Sequence, residues 1–218
     1  MRTVLITSEF SQPLAGMMAE NGLLTVHVPL VRLLPTGCQP PPGFPDVVLV
    51  SSAAVARFVP DLRDYVSAAR VVTVGPATAA ALQAAGVRVD DFGDSGGVKA
   101  MGLLKARKDD ICWYVGAENP SPALSDELDA AGIVRWPVYR SMACGVARDL
   151  QGVEPDVVCF TSGSSVRRYH ELFGIPRCRV VVLGGSTGDV ARTLGMKVDA
   201  MPPKPSLQLL ADATAKLS

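Results

Sequence analysis

The sequence predicts an α/β protein of parallel sheets arranged in two related halves, and three observations predict it. Residues 71–90 (VVTVGPATAAALQAAGVRVD) read as a strand, a tight turn at Gly75, an alanine-rich helix ending at Gly86, and a second strand. Residues 180–199 repeat that grammar in register. Val71, Val72, Gly75, Thr78, Gly86, Val89 and Asp90 return as Val180, Val181, Gly184, Thr187, Gly195, Val198 and Asp199, so the chain holds two copies of one unit. Strands alternate with helices along the chain, and the strands are apolar throughout, which is how parallel strands covered on both faces read.

Taken in order, residues 3–7 form a buried strand. Pro13 to Asn21 form a helix with Leu14, Met17 and Met18 inward, closed by Gly22, and Leu23 to Leu30 form a second strand. The pattern recurs 110 residues later as a strand at 111–116, a helix from Ser121 to Ala131, Gly132, and a strand ending at Tyr139. Residues 35–45 (PTGCQPPPGFP) are too proline-rich for a regular element. Next comes Asp46 with the buried run DVVLVSSAAV, matched in the second copy by Asp156 with DVVCFTSGSSV. A helix starts after each, with Ser or Thr as its N-cap. Ser95 and Ser206 are read as caps of the last helix of each copy.

Composition narrows the partners. Hydrophobic residues make up 48% and charged residues 19%, enough apolar material for a sizeable core and against disorder. The formal charge is zero, so neither nucleic acid nor an anionic membrane is expected as partner, because each calls for a basic face. A polyanion held by backbone amides stays open. The start, MRTVLITSEF, is too short for a signal-peptide core, and no apolar run approaches the roughly 18 residues of a membrane span, so a cytoplasmic protein is expected. The five cysteines form no CxxC pair and the histidines are only His27 and His170, so no metal site is read.

Chemistry is expected at the carboxyl ends of the strands, where helix N-termini present free amides. Four corners carry hydroxyl or glycine residues there: Ser51 with Ser52, Gly75 to Thr78, Thr161 with Ser162, Gly163 and Ser164, and Gly184 to Thr187. Each alone reads as an ordinary helix cap; four paired by a repeat favour a shared ligand. No GxGxxG, GxxxxGK[ST] or GxSxG motif stands in a suitable place. Trp113 and Trp136 read as core aromatics. Tyr139 reads equally as a half-buried strand tyrosine or as a residue facing a cleft.

The order of these short motifs resembles the uroporphyrinogen-III synthase family over nearly the whole chain. The carriers are VLIT at 4–7, DVVLVSSAAV at 46–55, VGPATAAAL at 74–82, WPVYRS at 136–141, DVVCFTSGSSV at 156–166, GGST at 184–187 and the terminal Pro–Ser–Leu–Leu helix. Departures exist: Thr7 is followed by Ser8 where the family usually has arginine, and its TSxNAV stands here as Ser51-Ser52-Ala53-Ala54-Val55. The resemblance implies two interleaved α/β domains with flavodoxin-like halves, one of residues 1–31 with 141–218 and the other of 35–137, with linkers near 30–34 and 138–141. It implies a lyase that takes hydroxymethylbilane, removes its hydroxyl as water, inverts the last pyrrole ring and closes the macrocycle to uroporphyrinogen III. No cofactor and a monomer are implied. Tyr139 becomes the catalytic candidate. Thr7, Ser51, Ser52, Gly75, Thr78, Thr161, Ser162, Gly163, Ser164, Gly184 and Thr187 become candidate substrate contacts. Two other classes stay open at this point: a non-enzymatic cytosolic cleft-binding protein for a small anion, and a nucleotide-binding enzyme, the latter disfavoured by the missing phosphate motifs.

Overall fold

The computed structural model describes residues 2–9, 12–93, 110–150 and 152–217. In chain order its strands are β1 (Thr3–Ile6), β2 (Leu24–His27), β3 (Val31–Pro35), β4 (Val47–Val50), β5 (Arg70–Thr73), β6 (Asp91–Phe92), β7 (Cys112–Ala117), β8 (Val134–Ala143), β9 (Val157–Phe160) and β10 (Arg179–Val182). Its helices are α1 (Gln12–Glu20), α2 (Ala54–Phe58), α3 (Leu62–Val66), α4 (Pro76–Ala84), α5 (Pro122–Ala130), α6 (Gly163–Phe173), α7 (Gly185–Thr193) and α8 (Leu207–Ala215). The chain divides into two compact units, Met1–Leu33 with Met142–Ser218, and Leu34–Ser141.

The first unit holds a four-stranded sheet in the order β10-β9-β1-β2, every pair parallel. The first two strands of the chain thus complete a sheet with the last two. Strand side chains alternate between faces. Leu5, Val158, Phe160, Val180 and Val182 meet Val166, Tyr169 and Ala191 of α6 and α7 on one side. Val4, Ile6, Val157, Cys159 and Val181 meet Leu14, Met18, Leu210 and Ala211 of α1 and α8 on the other. Both faces of the central strands β1, β9 and β10 are apolar, so nearly all of their residues serve the core, at about 1.5–3 kcal/mol for each large aliphatic side chain fully buried.

The second unit holds a six-stranded sheet in the order β3-β8-β7-β4-β5-β6. From β8 to β6 the pairs are parallel. β3 runs antiparallel to β8, because Cys144 donates to Leu30 O (2.9 Å) while Thr36 donates to Val138 O (3.2 Å). Both passages of the chain between the units lie inside these two paired strands. One face of the sheet packs Val47, Leu49, Val72 and Tyr114 against Leu124 and Leu128 of α5. The other carries a ring cluster in which Trp136 meets Trp113 and Tyr65 edge-on, at 5.9 and 5.2 Å between centroids.

The repeat reappears as four aspartates that hold strand starts. Asp156 accepts from the Thr3 amide (2.7 Å) and Asp46 from the Ile111 amide (2.8 Å). Asp90 accepts from Val71 (2.8 Å) and Asp199 from Val180 (2.9 Å). Gly86 and Gly195, both at φ 78°, close α4 and α7 in the left-handed conformation that an L side chain resists.

Several local expectations shift. The second strand does not run from 23 to 30. It stops at His27, Leu30 donates instead to Thr7 O (3.0 Å), and Pro29 has no amide to continue a ladder. No strand follows directly on Gly86 or Gly195. The aspartates at 90 and 199 fold onto the neighbouring strand, and pairing is limited to Asp91–Phe92 and a single bridge from Val181 to Ala200. The strand through Tyr139 continues to Ala143, so this tyrosine is interior to β8 rather than at its end. The expected cap at Ser95 lies outside the described residues. Ser206 caps α8 as expected, its Oγ accepting from the Leu209 amide.

Asp199 yields a test of the latch. Desolvation raises its pKa, but the Val180 amide, Arg179 and Lys197 together outweigh that and hold it below the ordinary value. A depressed carboxylate stabilises the fold above its unfolded pKa, and that share is lost as pH falls through the folded value. Asp199→Asn is therefore expected to cost about 1.5 kcal/mol at neutral pH. Chemical denaturation should also show the difference from wild type shrinking below about pH 4. A difference that stays constant down to acid unfolding would show that the charge plays no part.

Candidate functional site

In each unit the parallel strands all end on one edge, and the candidate residues gather there. In the first unit that edge carries the residues after β1, β9 and β10. Thr7 is fully buried and its hydroxyl donates to Cys159 O (3.1 Å), so it ties β1 to β9. After β9, Thr161, Ser162, Gly163 and Ser164 are half-buried. Ser162 caps α6: its Oγ accepts from the Ser165 amide (3.3 Å) and lies 3.1 Å from Ser164 Oγ. Gly163 is required by packing, since a Cβ there would sit 2.9 Å from Val190 Cγ2 of α7. Gly184 is the N-cap of α7, with no side chain capping the helix, and Thr187 is buried in the first turn. The free first-turn amides and the positive end of the helix dipole face this edge.

The second unit repeats the arrangement with differences. Gly75 is the N-cap of α4, again without a side-chain cap, with Pro76 at the first helical position and Thr78 buried behind it. Ser51 follows β4. Its amide donates to Val115 O (3.1 Å), and its Oγ accepts from the Tyr114 phenol (3.0 Å). The N-cap of α2 is Ala53, not a serine, and Ser51 is engaged by Tyr114 instead. Ser52 Oγ only accepts from the Ala54 amide (3.2 Å).

Tyr139 stands opposite Ala117, where a bulge at Gly116 and Ala117 shifts the register, and its carbonyl accepts from the Glu118 amide (2.7 Å). The residue is 8% exposed, and its ring stacks on Phe58 at 5.8 Å and 25°. The Arg57 guanidinium lies 5.2 Å above that Phe58 ring, a cation–π contact that helps hold the stack.

Tyr114, Gly116 and Phe58 are not among the candidate contacts that the sequence supplies. Tyr114 sits in an apolar run and reads as core, and so does Phe58. Only Gly116, a glycine at the end of a buried strand, gives a local signal of close approach. A further cation, Arg167, lies beside the hydroxyl corner, its guanidinium 3.7 Å from where a Gly163 Cβ would be.

A cavity of about 1070 Å³ opens at the opposite, amino edge of the first unit's sheet, beside Glu154, Asp156, Arg177, Arg179, Lys197 and Asp199. Its charges largely satisfy one another: Asp199 pairs with Arg179 (3.2 Å) and Lys197 (3.3 Å), and Asp156 holds Thr3. Strand carboxyl ends, not this edge, are where parallel α/β sheets hold ligands. Among the described residues no group of three or more His, Cys, Asp or Glu is placed to hold a metal ion, and no helix is long and apolar enough to cross a membrane.

The family model described as uroporphyrinogen-III synthase HemD matches residues 12–212. No curated protein sequence matches the chain. Among solved structures the chain is similar to uroporphyrinogen-III synthetase from Helicobacter pylori, with 16% identity over 100% of both chains and a TM-score of 0.71. It is also similar to a mutant uroporphyrinogen III synthase from Thermus thermophilus, with 17% identity over 98% of this chain and 97% of that one and a TM-score of 0.66. At such identities the structural likeness speaks for the fold, while the family match spans nearly every element that builds the two sheets. The chain therefore belongs to the uroporphyrinogen-III synthase family.

Proposed function

We propose that the chain closes hydroxymethylbilane to uroporphyrinogen III as a cyclising hydro-lyase, working as a cytoplasmic monomer without metal or organic cofactor. The observation that carries this reading is the pairing of two helix N-termini, at Gly75 and Gly184, that lack side-chain caps at the carboxyl edges of both sheets. Such ends present amide donors to carboxylates, and this substrate is rich in them. No observation favours the alternative of a non-enzymatic binding protein.

The substrate loses its hydroxyl readily and would cyclise alone to the uninverted isomer, so the main demand is control of conformation. Amides and hydroxyls at Ser51, Ser52 and Gly75 in one unit, and at the Thr161–Ser164 corner and Gly184 in the other, would grip carboxylates. Thr7, Thr78 and Thr187 are buried and would act by shaping those corners. Tyr139 would assist departure of hydroxide by donating its phenolic hydrogen to the leaving oxygen. Its stack on Phe58 supports the role by fixing the ring.

The deciding experiment is incubation with hydroxymethylbilane, oxidation, and chromatographic separation of type I and type III porphyrins. Type III product is expected, and type I alone would overturn the reading. For Tyr139→Phe, kcat should drop by about tenfold or more with type III still formed; full activity at saturating substrate would make Tyr139 structural. Because neutral donors do most of the gripping, KM should change by no more than about threefold between low and physiological salt. A steeper dependence would point to gripping by side-chain cations.

A further inference from the structure

We propose that Tyr114 is a positioning residue: by donating its phenolic proton to Ser51, it turns the Ser51 hydroxyl outward as a donor to a substrate carboxylate. The inference rests on the proposed role of Ser51 in substrate binding and adds a residue that the candidate site did not contain.

A serine hydroxyl has one proton and two lone pairs, and left alone it rotates among partners. Here one lone pair is taken by Tyr114 Oη at 3.0 Å. The geometry makes the phenol the donor in that bond. Burial, above all, pushes the Tyr114 pKa up to about 12, so the proton it donates stays in place at any physiological pH. Ser51, already an acceptor, keeps its own proton for a partner elsewhere. Tyr114 is 1% exposed whereas Ser51 is half-buried, so the free direction is the outer one.

The backbone is shaped around this pair. β4 and β7 run parallel with Leu49 beside Tyr114 and Val50 beside Val115, so the next step of the ladder brings Ser51 beside Gly116. A Cβ on residue 116 would lie 2.0 Å from Ser51 Oγ and 2.7 Å from Tyr114 Oη. Glycine at this point is what admits the hydrogen bond, and its φ is not in the left-handed region, so side-chain clash rather than backbone freedom explains it. In the other sheet the equivalent corner is organised differently, by Ser162 as a helix cap. The second unit's α2 has no side-chain cap, and its serine is held instead from beneath by a tyrosine.

The test is a double-mutant cycle on steady-state kinetics with hydroxymethylbilane, using wild type, Tyr114→Phe, Ser51→Ala and the double variant. Phe keeps the buried ring and removes only the donor. Tyr114→Phe is expected to raise KM about fivefold with kcat little changed, and to have no further effect once Ser51 is alanine. Gly116→Ala, which forces the two oxygens apart by another route, should raise KM similarly. If Tyr114→Phe raises KM equally in both backgrounds, or leaves it unchanged while Ser51→Ala raises it, the inference is overturned and the role of Ser51 stands. A wild-type KM for Gly116→Ala overturns it as well. If Ser51→Ala leaves KM at the wild-type value while type III product still forms, the substrate role of Ser51 fails and takes the inference with it, leaving the activity itself intact. A merely structural Tyr114 would lower the melting temperature without this dependence on Ser51.

Discussion

Two parallel pairings hold the arrangement together: β1 with β9, and β4 with β7. The first joins Val4 to Val157 and the second Val47 to Cys112, each across a long stretch of chain whose closure costs entropy. Each pairing is fixed at its start by an aspartate, Asp156 on the Thr3 amide and Asp46 on the Ile111 amide. In a strand with both faces buried, a slip of one residue sends every side chain to the other face. Fixing the first amide therefore fixes the other end, where Thr7 donates to Cys159 O in one sheet and Tyr114 donates to Ser51 in the other. The register of the core and the geometry of the ligand edge are one constraint read at two ends.

The repeat is the legible part of the chain because glycine and aspartate have few substitutes at these positions. The equivalent residues Gly86 and Gly195 do the same thing, ending a helix, and Asp90 and Asp199 both hold a strand amide. Hydrophobic runs likewise mark the strands, since parallel strands buried on both faces carry no polar alternation. What resists reading are choices made by partners far away in sequence. Tyr114 looks like any core aromatic until its phenol is seen against a serine 63 residues earlier. Ser51 and Ser52 look like caps because local chemistry favours serine there, but Ser51 is taken by a tertiary hydrogen bond and Ser52 accepts only from the Ala54 amide. Tyr139 looks terminal because the pairing of β3 alongside β8, which extends the strand, leaves no mark near residue 139.

Several of the hydroxyls flagged from the sequence turn out to be internal. Thr7, Thr78 and Thr187 are each buried. A buried hydroxyl is normally satisfied within the protein, so these residues differ in kind from Ser51, Ser52 and the Thr161–Ser164 corner, which keep part of their surface open. The repeat therefore marks two layers at each edge. An inner layer of threonines joins strand to strand or seats the first turn of a helix. An outer layer of serines and glycine amides is left to meet a ligand. A sequence pattern that pairs Thr78 with Thr187 sees only the inner layer.

Among the described residues, the serines and glycines that make up this outer layer carry no charge, and on the proposed reading that suits the reaction. A set of strong cations would hold a polycarboxylate tightly in many orientations, because Coulomb attraction has little direction. Amides and oriented hydroxyls bind more weakly but only along their own axes. For a substrate whose default cyclisation gives the wrong isomer, direction matters more than affinity, because only one folded shape of the chain leads to ring inversion. The hydrogen bond from Tyr114 to Ser51 converts a freely rotating donor into a directed one without adding charge. Arg167, whose guanidinium stands beside the Gly163 corner, would on that reading supply attraction at the margin of the corner while the serines set the angles. An edge built this way imposes shape on a flexible polyanion through the direction of its donors, and for that the fixed register of the strands beneath is the necessary support.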